Sequence, residues 1–143
     1  MKPMKTKKTY ILEHQIGHVL RKVSQRHTSI FSSEMPSDLT PTRFAAMAKL
    51  LELGPLSQNE LGRLTAMDIS TIKGVVDRLR VRKFVESKKD PKDARRQLIK
   101  LTRKGEAVIL AAIPDALEVT RRTVEALTKA ETKELLKLLT KLQ

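Results

Sequence analysis

The chain has 143 residues, with 29 lysines and arginines against 16 aspartates and glutamates, which gives a formal net charge of +13. This length fits a single domain, the charge favours an anionic partner, and the lack of cysteine excludes disulfides, thiolate metal sites and a cysteine nucleophile. No apolar run is long enough for a membrane span, and the N-terminus lacks the hydrophobic core of a signal peptide. We therefore expect a cytoplasmic protein with no membrane partner.

The positive charge is concentrated in the middle of the chain. Residues 1–39 carry a net +4 and residues 105–143 carry none, whereas residues 40–104 hold 16 basic and seven acidic side chains, a net +9. A local excess is a stronger sign of nucleic-acid binding than a uniformly basic chain. Residues 40–104 are therefore the predicted binding region.

The first 39 residues are predicted to form a basic end, a helix and a loop. Residues 1–9 are either a frayed terminus or an extra phosphate or ligand contact. From Tyr10 to about Phe31, apolar residues recur at helical spacing and predict one amphipathic helix. Residues 32–39 contain Pro36 and several helix-capping residues, which predicts a loop.

A scaffold helix is predicted between residues 40 and 54. Thr40 is a favourable N-cap, and Pro41 suits the first helical position, where its missing amide costs nothing. Gly54 is typical of a helix C-terminus, and Pro55 does not continue a helix. The pattern gives this helix a structural role.

Residues 57–79 predict two short helices joined by a tight turn. Ser57 and Glu60 have the spacing of a capping box, and Leu61 and Leu64 form the inward face of the first helix. Asp68 is the expected N-cap of the second helix, whose buried stripe is Ile69, Ile72, Val76 and Leu79. The opposite face is small, polar or basic: Ser70, Thr71, Lys73, Gly74, Asp77 and Arg78. This is the pattern of a helix-turn-helix that places its second helix in the major groove.

A hairpin is predicted directly after the second helix. Residues 84–88 and 97–101 resemble strands, and residues 89–96 between them are rich in turn formers and charge. Beside a helix-turn-helix such a hairpin is a wing, whose basic tip reaches a phosphate backbone or the narrow minor groove. Asp90 and Asp93 are expected to shape the turn, and Arg96 either contacts DNA or pairs with one of them.

Two helices are predicted in the C-terminal part of the chain. Thr102 caps a long helix that runs towards Leu127, and Pro114 predicts a bend in it. Thr128 and Glu131 form a capping box for a final helix that contains Leu135, Leu136, Leu138, Leu139 and Leu142. So much leucine requires a partner surface. Dimerisation is favoured over packing within one chain, because residues 40–101 already supply a core.

Four motifs carry a family resemblance. They are Asn59-Glu60-Leu61, Thr71-x-x-x-Val75-Val76-Asp77-Arg78-Leu79, Asp90-Pro91-x-Asp93-x-Arg95 and Leu101-Thr102-x-x-Gly105. With these motifs and its flanking helices, nearly the whole chain resembles the MarR family of winged helix-turn-helix transcriptional regulators. Residues 58–76 are similar to a branch whose members tend to control aromatic-compound metabolism.

The resemblance implies a mainly α fold with a small β-hairpin wing, in a single domain that spans residues 1–143. Within it, residues 10–32 and 103–143 would form dimerisation helices, and residues 40–101 would form the DNA-binding lobe. It also implies a homodimer that binds double-stranded DNA at a pseudo-palindromic operator.

Eleven residues are predicted to face or contact DNA. They are Arg63, Asp68, Ser70, Thr71, Lys73, Gly74 and Arg78 in the helix-turn-helix, and Lys89, Lys92, Arg95 and Arg96 in the wing. Arg95 matches the wing arginine of the family, which implies insertion into the minor groove. Gly74 has two explanations, a close approach to DNA or close helix packing, because glycine within a helix costs about 1 kcal/mol relative to alanine. For Arg63, Lys73 and Arg78 the alternative is ordinary surface solvation.

The resemblance further implies a small-molecule pocket between the dimer helices and the DNA-binding lobe. Six residues are candidates for it: Tyr10, His14, His18, Arg21, Phe44 and Met47. A histidine or the arginine would pair with a ligand carboxylate, and the others would supply an apolar wall. The predicted function is therefore a repressor that an aromatic acid or aryl coenzyme A thioester releases from DNA.

Catalysis and metal binding are poorly supported by the sequence. His14 and His18 are four residues apart on one predicted helix face, which suits a metal pair, but no third ligand or HExxH pattern accompanies them. We predict no catalytic residue, no metal and no cofactor. Two other roles remain open. One is a sequence-tolerant architectural DNA-binding protein, and the other is a protein–protein adaptor that uses a winged helix without DNA.

Overall fold

The computed structural model describes residues 9–143, which form six α-helices and a two-stranded antiparallel hairpin. The elements are α1 (Ile16–Glu34), α2 (Pro41–Leu53), α3 (Gln58–Leu64), α4 (Ile69–Val81), β1 (Val85–Asp90), β2 (Asp93–Leu101), α5 (Arg103–Thr123) and α6 (Lys129–Lys141). This confirms the predicted mainly α fold with a hairpin. Of the predicted basic end at residues 1–9, only Thr9 lies within the described residues. None of the described helices is both long and apolar enough to cross a membrane.

The chain divides into two compact units. One unit comprises residues 34–117, and the other comprises the described residues up to 33 together with residues 118–143. We call them the central unit and the terminal unit. The central unit contains α2, α3, α4 and the hairpin, which together include the region predicted to bind nucleic acid.

Several helix ends follow the capping residues predicted from the sequence. The Thr40 hydroxyl accepts a hydrogen bond from the Arg43 amide, and Pro41 is the first residue of α2. Gly54 ends α2 with a φ of 79°, in the region that favours glycine. At α6, Thr128 and Glu131 form both hydrogen bonds of a capping box. Local chemistry therefore determines where α2 and α6 begin.

The prediction of one helix from Tyr10 is wrong. A single 3₁₀ turn at Leu12–His14 is followed by Gln15 in an extended conformation, with φ of −95° and ψ of 130°. The Gln15 side-chain amide donates to the Ile11 carbonyl at 3.0 Å, and its own carbonyl accepts from the Val19 amide at 3.1 Å. The helix α1 thus begins only after Gln15, and apolar periodicity continues through such a break without revealing it. The helix also extends three residues beyond its predicted end, which shortens the loop.

The core of the central unit is aliphatic. Its large fully buried side chains are Leu39, Met47, Leu61, Ile72, Val76, Leu79, Ile99 and Ile109. Three residues of the predicted α4 stripe are among them, but Ile69 is exposed, because it is the first residue of its helix, and Val75 is buried instead. Leu64 is also exposed, because α3 ends there. The predicted inward faces are therefore right within each helix and wrong at two helix ends.

The wing is longer and has a tighter tip than the sequence predicts. Val85 pairs with Leu101, and pairing continues to Asp90 and Asp93, so that only residues 91 and 92 form the reversal. The predicted loop at residues 89–96 is therefore wrong. Both aspartates shape the tip as expected, because each carboxylate accepts a backbone amide two residues ahead, at 2.9 Å and 3.1 Å.

A buried backbone bridge attaches the wing to the start of α3. The Leu56 amide donates to the Ile99 carbonyl at 3.0 Å, and the Ile99 amide donates to the Leu56 carbonyl at 2.7 Å. Both side chains are buried. The hairpin is therefore continuous with the segment that leads into the helix-turn-helix.

Gly105 allows the first turn of α5 to lie directly against Phe84, in the segment between α4 and β1. The Thr102 hydroxyl donates to the Lys83 carbonyl at 2.6 Å and accepts from the Gly105 amide at 3.0 Å, which confirms Thr102 as a cap. A Cβ atom at residue 105 would lie 1.9 Å from the Phe84 carbonyl oxygen. The glycine of the motif Leu101-Thr102-x-x-Gly105 is therefore required because any side chain there would collide with the Phe84 carbonyl.

The terminal unit is held together by hydrogen bonds at the end of α5. The Arg26 guanidinium donates to the carbonyls of Thr123 and Arg122, at 2.8 Å and 2.9 Å. His27 Nδ1 lies 2.8 Å from the Thr123 hydroxyl. Because the last carbonyls of a helix lack partners within the helix, a cation placed there satisfies them and favours the helix dipole. The sequence pattern did not single out Arg26 for this role.

The apolar faces of α1 and α6 are largely uncovered in this chain. Exposed apolar residues near and within α1 are Ile11, Leu12, Ile16, Val19, Leu20 and Val23, and those of α6 and its end are Leu135, Leu136, Leu138, Leu139 and Leu142. No residue of α6 is buried. The alternative in which the leucines of α6 pack within one chain is therefore wrong for the described residues.

Replacing Gly105 with alanine should lower the free energy of unfolding by about 1–3 kcal/mol, because the added methyl group forces the Phe84 carbonyl aside. Urea unfolding followed by circular dichroism measures the change. Gly17→Ala is the matched control: a Cβ there meets no atom within 4 Å, so alanine should leave the helix equally stable or more stable. Equal unfolding free energies for the two variants would contradict this steric account.

Candidate nucleic-acid interface

All eleven residues predicted to contact DNA are exposed, and all belong to the central unit. Seven come from the α3–α4 region and four from the wing. Arg95 and Arg96 belong to β2 and Lys89 to β1, rather than to a loop, and only Lys92 lies in the reversal. The sequence therefore identified an exposed set but assigned the wing residues to the wrong kind of element.

The start of α4 is fixed by its N-cap. Asp68 Oδ1 accepts from the Thr71 amide at 2.7 Å and from the Ser70 hydroxyl at 3.2 Å, which confirms the predicted cap. The Thr71 backbone bond, followed by the Thr71 and Ser70 side chains, lowers the pKa of Asp68. The exposed carboxylate thus stays ionised at neutral pH and holds the first turn of α4 in place.

Charged pairs organise the outer face of α4. Lys73 Nζ lies 2.9 Å from Asp77 Oδ2, and this hydrogen bond is the main cause that lowers the pKa of Asp77. Arg80 also approaches Asp77, at 3.4 Å, and donates to the Ser87 hydroxyl on β1 at 2.6 Å. Arg80 thus links α4 to the wing. The sequence pattern did not assign it a role, because spacing along one helix gives no information about a partner on a strand.

Two glycines of the helix-turn-helix have different roles. A Cβ at Gly62 would lie 3.0 Å from Ile72 Cγ2 and 3.2 Å from the Met67 carbonyl, so Gly62 allows α3 and α4 to pack closely. At Gly74 a Cβ would meet no atom within 4 Å. Close packing within the described chain therefore does not explain Gly74, and the approach to DNA stays a prediction.

An open groove of about 650 Å³ separates α3 from the wing. Arg96 spans it: its Nη2 donates to Glu60 Oε1 at 2.6 Å and to the Ser57 hydroxyl at 2.9 Å. The predicted pairing of Arg96 with Asp90 or Asp93 is therefore wrong. The second half of the predicted capping box at Ser57 is also wrong, because the Glu60 carboxylate accepts from Arg96 while only the Ser57 hydroxyl caps α3.

The neighbouring arginine of β2, Arg95, also lines this groove but takes no part in the link. The Arg95 side chain is 93% exposed, and its Nε lies 3.3 Å from Asp93 Oδ1. A guanidinium at such a position reaches a phosphate or the minor groove without first breaking a buried contact. Arg96 thus joins β2 to α3, whereas the adjacent Arg95 pairs with Asp93 at the tip of the wing.

The residues predicted to bind a small molecule are only partly brought together. In the terminal unit, Arg21 Nη2 lies 3.2 Å from His18 Nδ1, and Tyr10 and His14 are exposed. In the central unit, Phe44 is half-buried and Met47 is fully buried. The predicted shared helix face of His14 and His18 is wrong, because Gln15 separates the 3₁₀ turn from α1. Within residues 9–143, no three histidine, aspartate or glutamate side chains lie close enough together to hold one metal ion.

The exposed α4 and its attached basic wing define a winged helix-turn-helix DNA-binding protein. Comparison with known proteins supports this class. Residues 39–96 match the model of the MarR family. The repressor NicR of Pseudomonas putida is 39% identical over 134 residues, which cover 93% of this chain and 85% of NicR.

Solved structures of similar proteins support the same class of DNA-binding protein. A probable transcriptional regulator from Pseudomonas aeruginosa has a TM-score of 0.90 and 43% identity, covering 93% of this chain and 100% of that one. Bordetella bronchiseptica BpsR has a TM-score of 0.89 and 36% identity, covering 93% of this chain and 96% of BpsR. The chain belongs to the MarR family, and it is a DNA-binding transcriptional regulator rather than an enzyme.

The link between Arg96 and Glu60 is expected to position the wing, and charge exchange tests this role. Arg96→Glu should weaken DNA binding at least tenfold, because it opposes two carboxylates. Adding Glu60→Arg should recover part of that lost affinity, because an ion pair forms again with the two charges exchanged between the positions. Binding is measured by fluorescence anisotropy with labelled duplex DNA.

Arg95→Ala is the comparison variant. It should weaken binding and lower the salt dependence of the affinity, because a phosphate contact is lost. The double variant Arg96→Glu with Glu60→Arg should instead keep the salt dependence of the DNA affinity close to that of the unaltered protein. Failure of Glu60→Arg to improve on Arg96→Glu alone would show that Arg96 acts on DNA directly.

Proposed function

We propose that the chain is a cytoplasmic, homodimeric repressor that binds a pseudo-palindromic operator and is released by a small aromatic acid. The observation that carries this proposal is 39% identity with the repressor NicR across 93% of the chain. The exposed α4 face and the net +9 of residues 40–104 supply the chemistry for operator binding. We propose that the whole chain serves as one MarR-type domain, with its terminal helices used for dimerisation.

Dimerisation is supported by the uncovered apolar faces of α1 and α6. These faces expose many large aliphatic side chains, whereas the terminal unit buries few. Patches of this kind mark interfaces, because their burial releases apolar surface from water. A two-fold dimer also places two α4 helices on the same side of the duplex, at half-sites about 10 base pairs apart.

Leu136→Asp tests the dimer. Leu136 of α6 is 67% exposed in one chain, so aspartate leaves the single chain folded but places a charge in the proposed interface. Sedimentation should show the mass of a single chain, and affinity for DNA should fall more than tenfold because two half-sites no longer bind together. Lys137→Asp is the control: it makes a larger charge change at the next residue and should leave the dimer intact. An unchanged mass for Leu136→Asp would contradict the proposed interface.

The effector is inferred from a relative and from one contact. The structure of BpsR addresses regulation of its DNA binding by 6-hydroxynicotinic acid. In the present chain, the pair of His18 and Arg21 offers an imidazole and a guanidinium 3.2 Å apart, which is the donor set for a carboxylate. We propose that Tyr10, His14, His18 and Arg21 of the terminal unit contribute to the effector pocket. Phe44 and Met47 belong to the central unit, and Met47 has no exposed surface for a ligand. Binding there would favour a dimer whose recognition helices are wrongly spaced for the operator.

The function is tested with a duplex that the protein selects from a randomised DNA pool. The protein should prefer this duplex to random DNA by at least a thousandfold, and 6-hydroxynicotinic acid should release it. An architectural DNA-binding protein would show little preference, and an adaptor would select no sequence. The amide, 6-hydroxynicotinamide, is the control ligand, because it keeps the ring and lacks the carboxylate.

Arg21→Ala should raise the concentration of acid needed for release by about tenfold or more, since a hydrogen bond to a charged group contributes about 1.5–3 kcal/mol. The affinity for DNA without ligand should not change, because Arg21 is exposed, lies outside the central unit and is not one of the apolar residues of the proposed dimer interface. Equal release by acid and amide would contradict carboxylate recognition.

A further inference from the structure

The first residue of the recognition helix α4 departs from the apolar pattern of that helix. Ile69 is 76% exposed, whereas the other members of its stripe are buried, namely Ile72, Val76 and Leu79. It lies beside an open groove of about 610 Å³ between α3 and α4. A large branched apolar side chain is thus exposed at the end of α4 that contacts base edges in helix-turn-helix proteins.

The polar groups next to Ile69 are already engaged within α4. The Ser70 hydroxyl donates to Asp68 at 3.2 Å, and the Lys73 ammonium donates to Asp77 at 2.9 Å. These bonds take up the only donor of the Ser70 hydroxyl and one of the three donors of the Lys73 ammonium, which limits how the two groups can turn towards a base. The methyl groups of Ile69 form no such bonds and are available as they stand.

The major groove offers one apolar group on the base edges, which is the C5-methyl of thymine. A protein partner would be the other possible occupant of an exposed isoleucine. However, the groove beside Ile69 is also lined by Arg63, and residues 40–104 carry a net charge of +9. This surrounding charge suits a polyanion, so DNA is the partner that matches both the position and the charge.

We propose that Ile69 is a specificity-determining residue that packs against the C5-methyl group of one thymine in each operator half-site. The inference rests on the proposed recognition of an operator through α4. Contact between the two apolar groups removes both from water, whereas cytosine carries only a hydrogen in place of the methyl group and offers no such contact. Ile69 would thus select thymine without a hydrogen bond.

Replacement of thymine by deoxyuridine tests this contact, because it removes the methyl group and keeps base pairing. The probe is the duplex that the protein selects from a randomised pool, with each thymine replaced singly by deoxyuridine. At one thymine per half-site, the unaltered protein should lose about fourfold in affinity, the loss expected for one buried methyl group. For Ile69→Ala the same replacement should have no effect, because the partner of the methyl group is gone.

Val81→Ala is the matched control, because Val81 is the last residue of α4 and is 81% exposed. This variant loses aliphatic surface at the opposite end of the helix, so it should keep the full sensitivity to deoxyuridine. Circular dichroism checks that both variants fold, which the high exposure of both residues favours.

The outcomes separate the inference from the proposed function. Selection of no preferred duplex would overturn sequence-specific binding, and the inference with it. A preferred duplex with no thymine sensitive to deoxyuridine would overturn the inference alone. Equal sensitivity in the unaltered protein and in Ile69→Ala would also overturn it, because another residue would then contact the methyl group.

Discussion

The backbone bridge between Leu56 and Ile99 is the constraint on which the DNA-binding surface depends. Its two hydrogen bonds, of 3.0 Å and 2.7 Å, join buried residues and attach the wing to Leu56, two residues before α3. Arg96 reinforces the join from β2 to α3, and Arg80 makes a second link from α4 to β1. The recognition helix and the wing therefore keep a fixed separation, which any protein that contacts two grooves at once requires.

The two units of the chain use different chemistry for their stability. The central unit has a filled aliphatic core and a charged surface, whereas the terminal unit buries few large side chains and exposes aliphatic ones. Under the proposed function, the terminal unit completes its core only when two copies meet. The stability of that unit would then rise with protein concentration, because association favours the folded chain.

The sequence predicted those features that depend on local chemistry. The caps at Thr40, Asp68 and Thr128 were identified correctly, because a side chain and an amide a few residues away suffice to form them. Burial within α3 and α4 also followed periodicity. The exceptions at Ile69 and Leu64 lie at helix ends, where the neighbouring turn that would cover a side chain is missing.

Contacts between distant residues were not predictable in the same way. Arg96 pairs with a residue 36 positions away, and Arg26 with carbonyls 96 and 97 positions away. Spacing along the chain contains no information about such pairs, because they depend on how elements pack. The eleven candidate DNA residues could be predicted because charged and polar side chains are usually exposed. The structure was needed to show which of their atoms already form hydrogen bonds within the chain.

The short reversal at the tip of the wing has a consequence for association. Because strand pairing reaches Asp90 and Asp93, backbone hydrogen bonds between β1 and β2 order the wing almost to its tip. A segment that is ordered before the encounter gives up little conformational entropy when it enters a groove. The wing should therefore bind DNA as a preformed hairpin. Its contribution to the affinity should depend more on where its charges are placed than on folding upon binding.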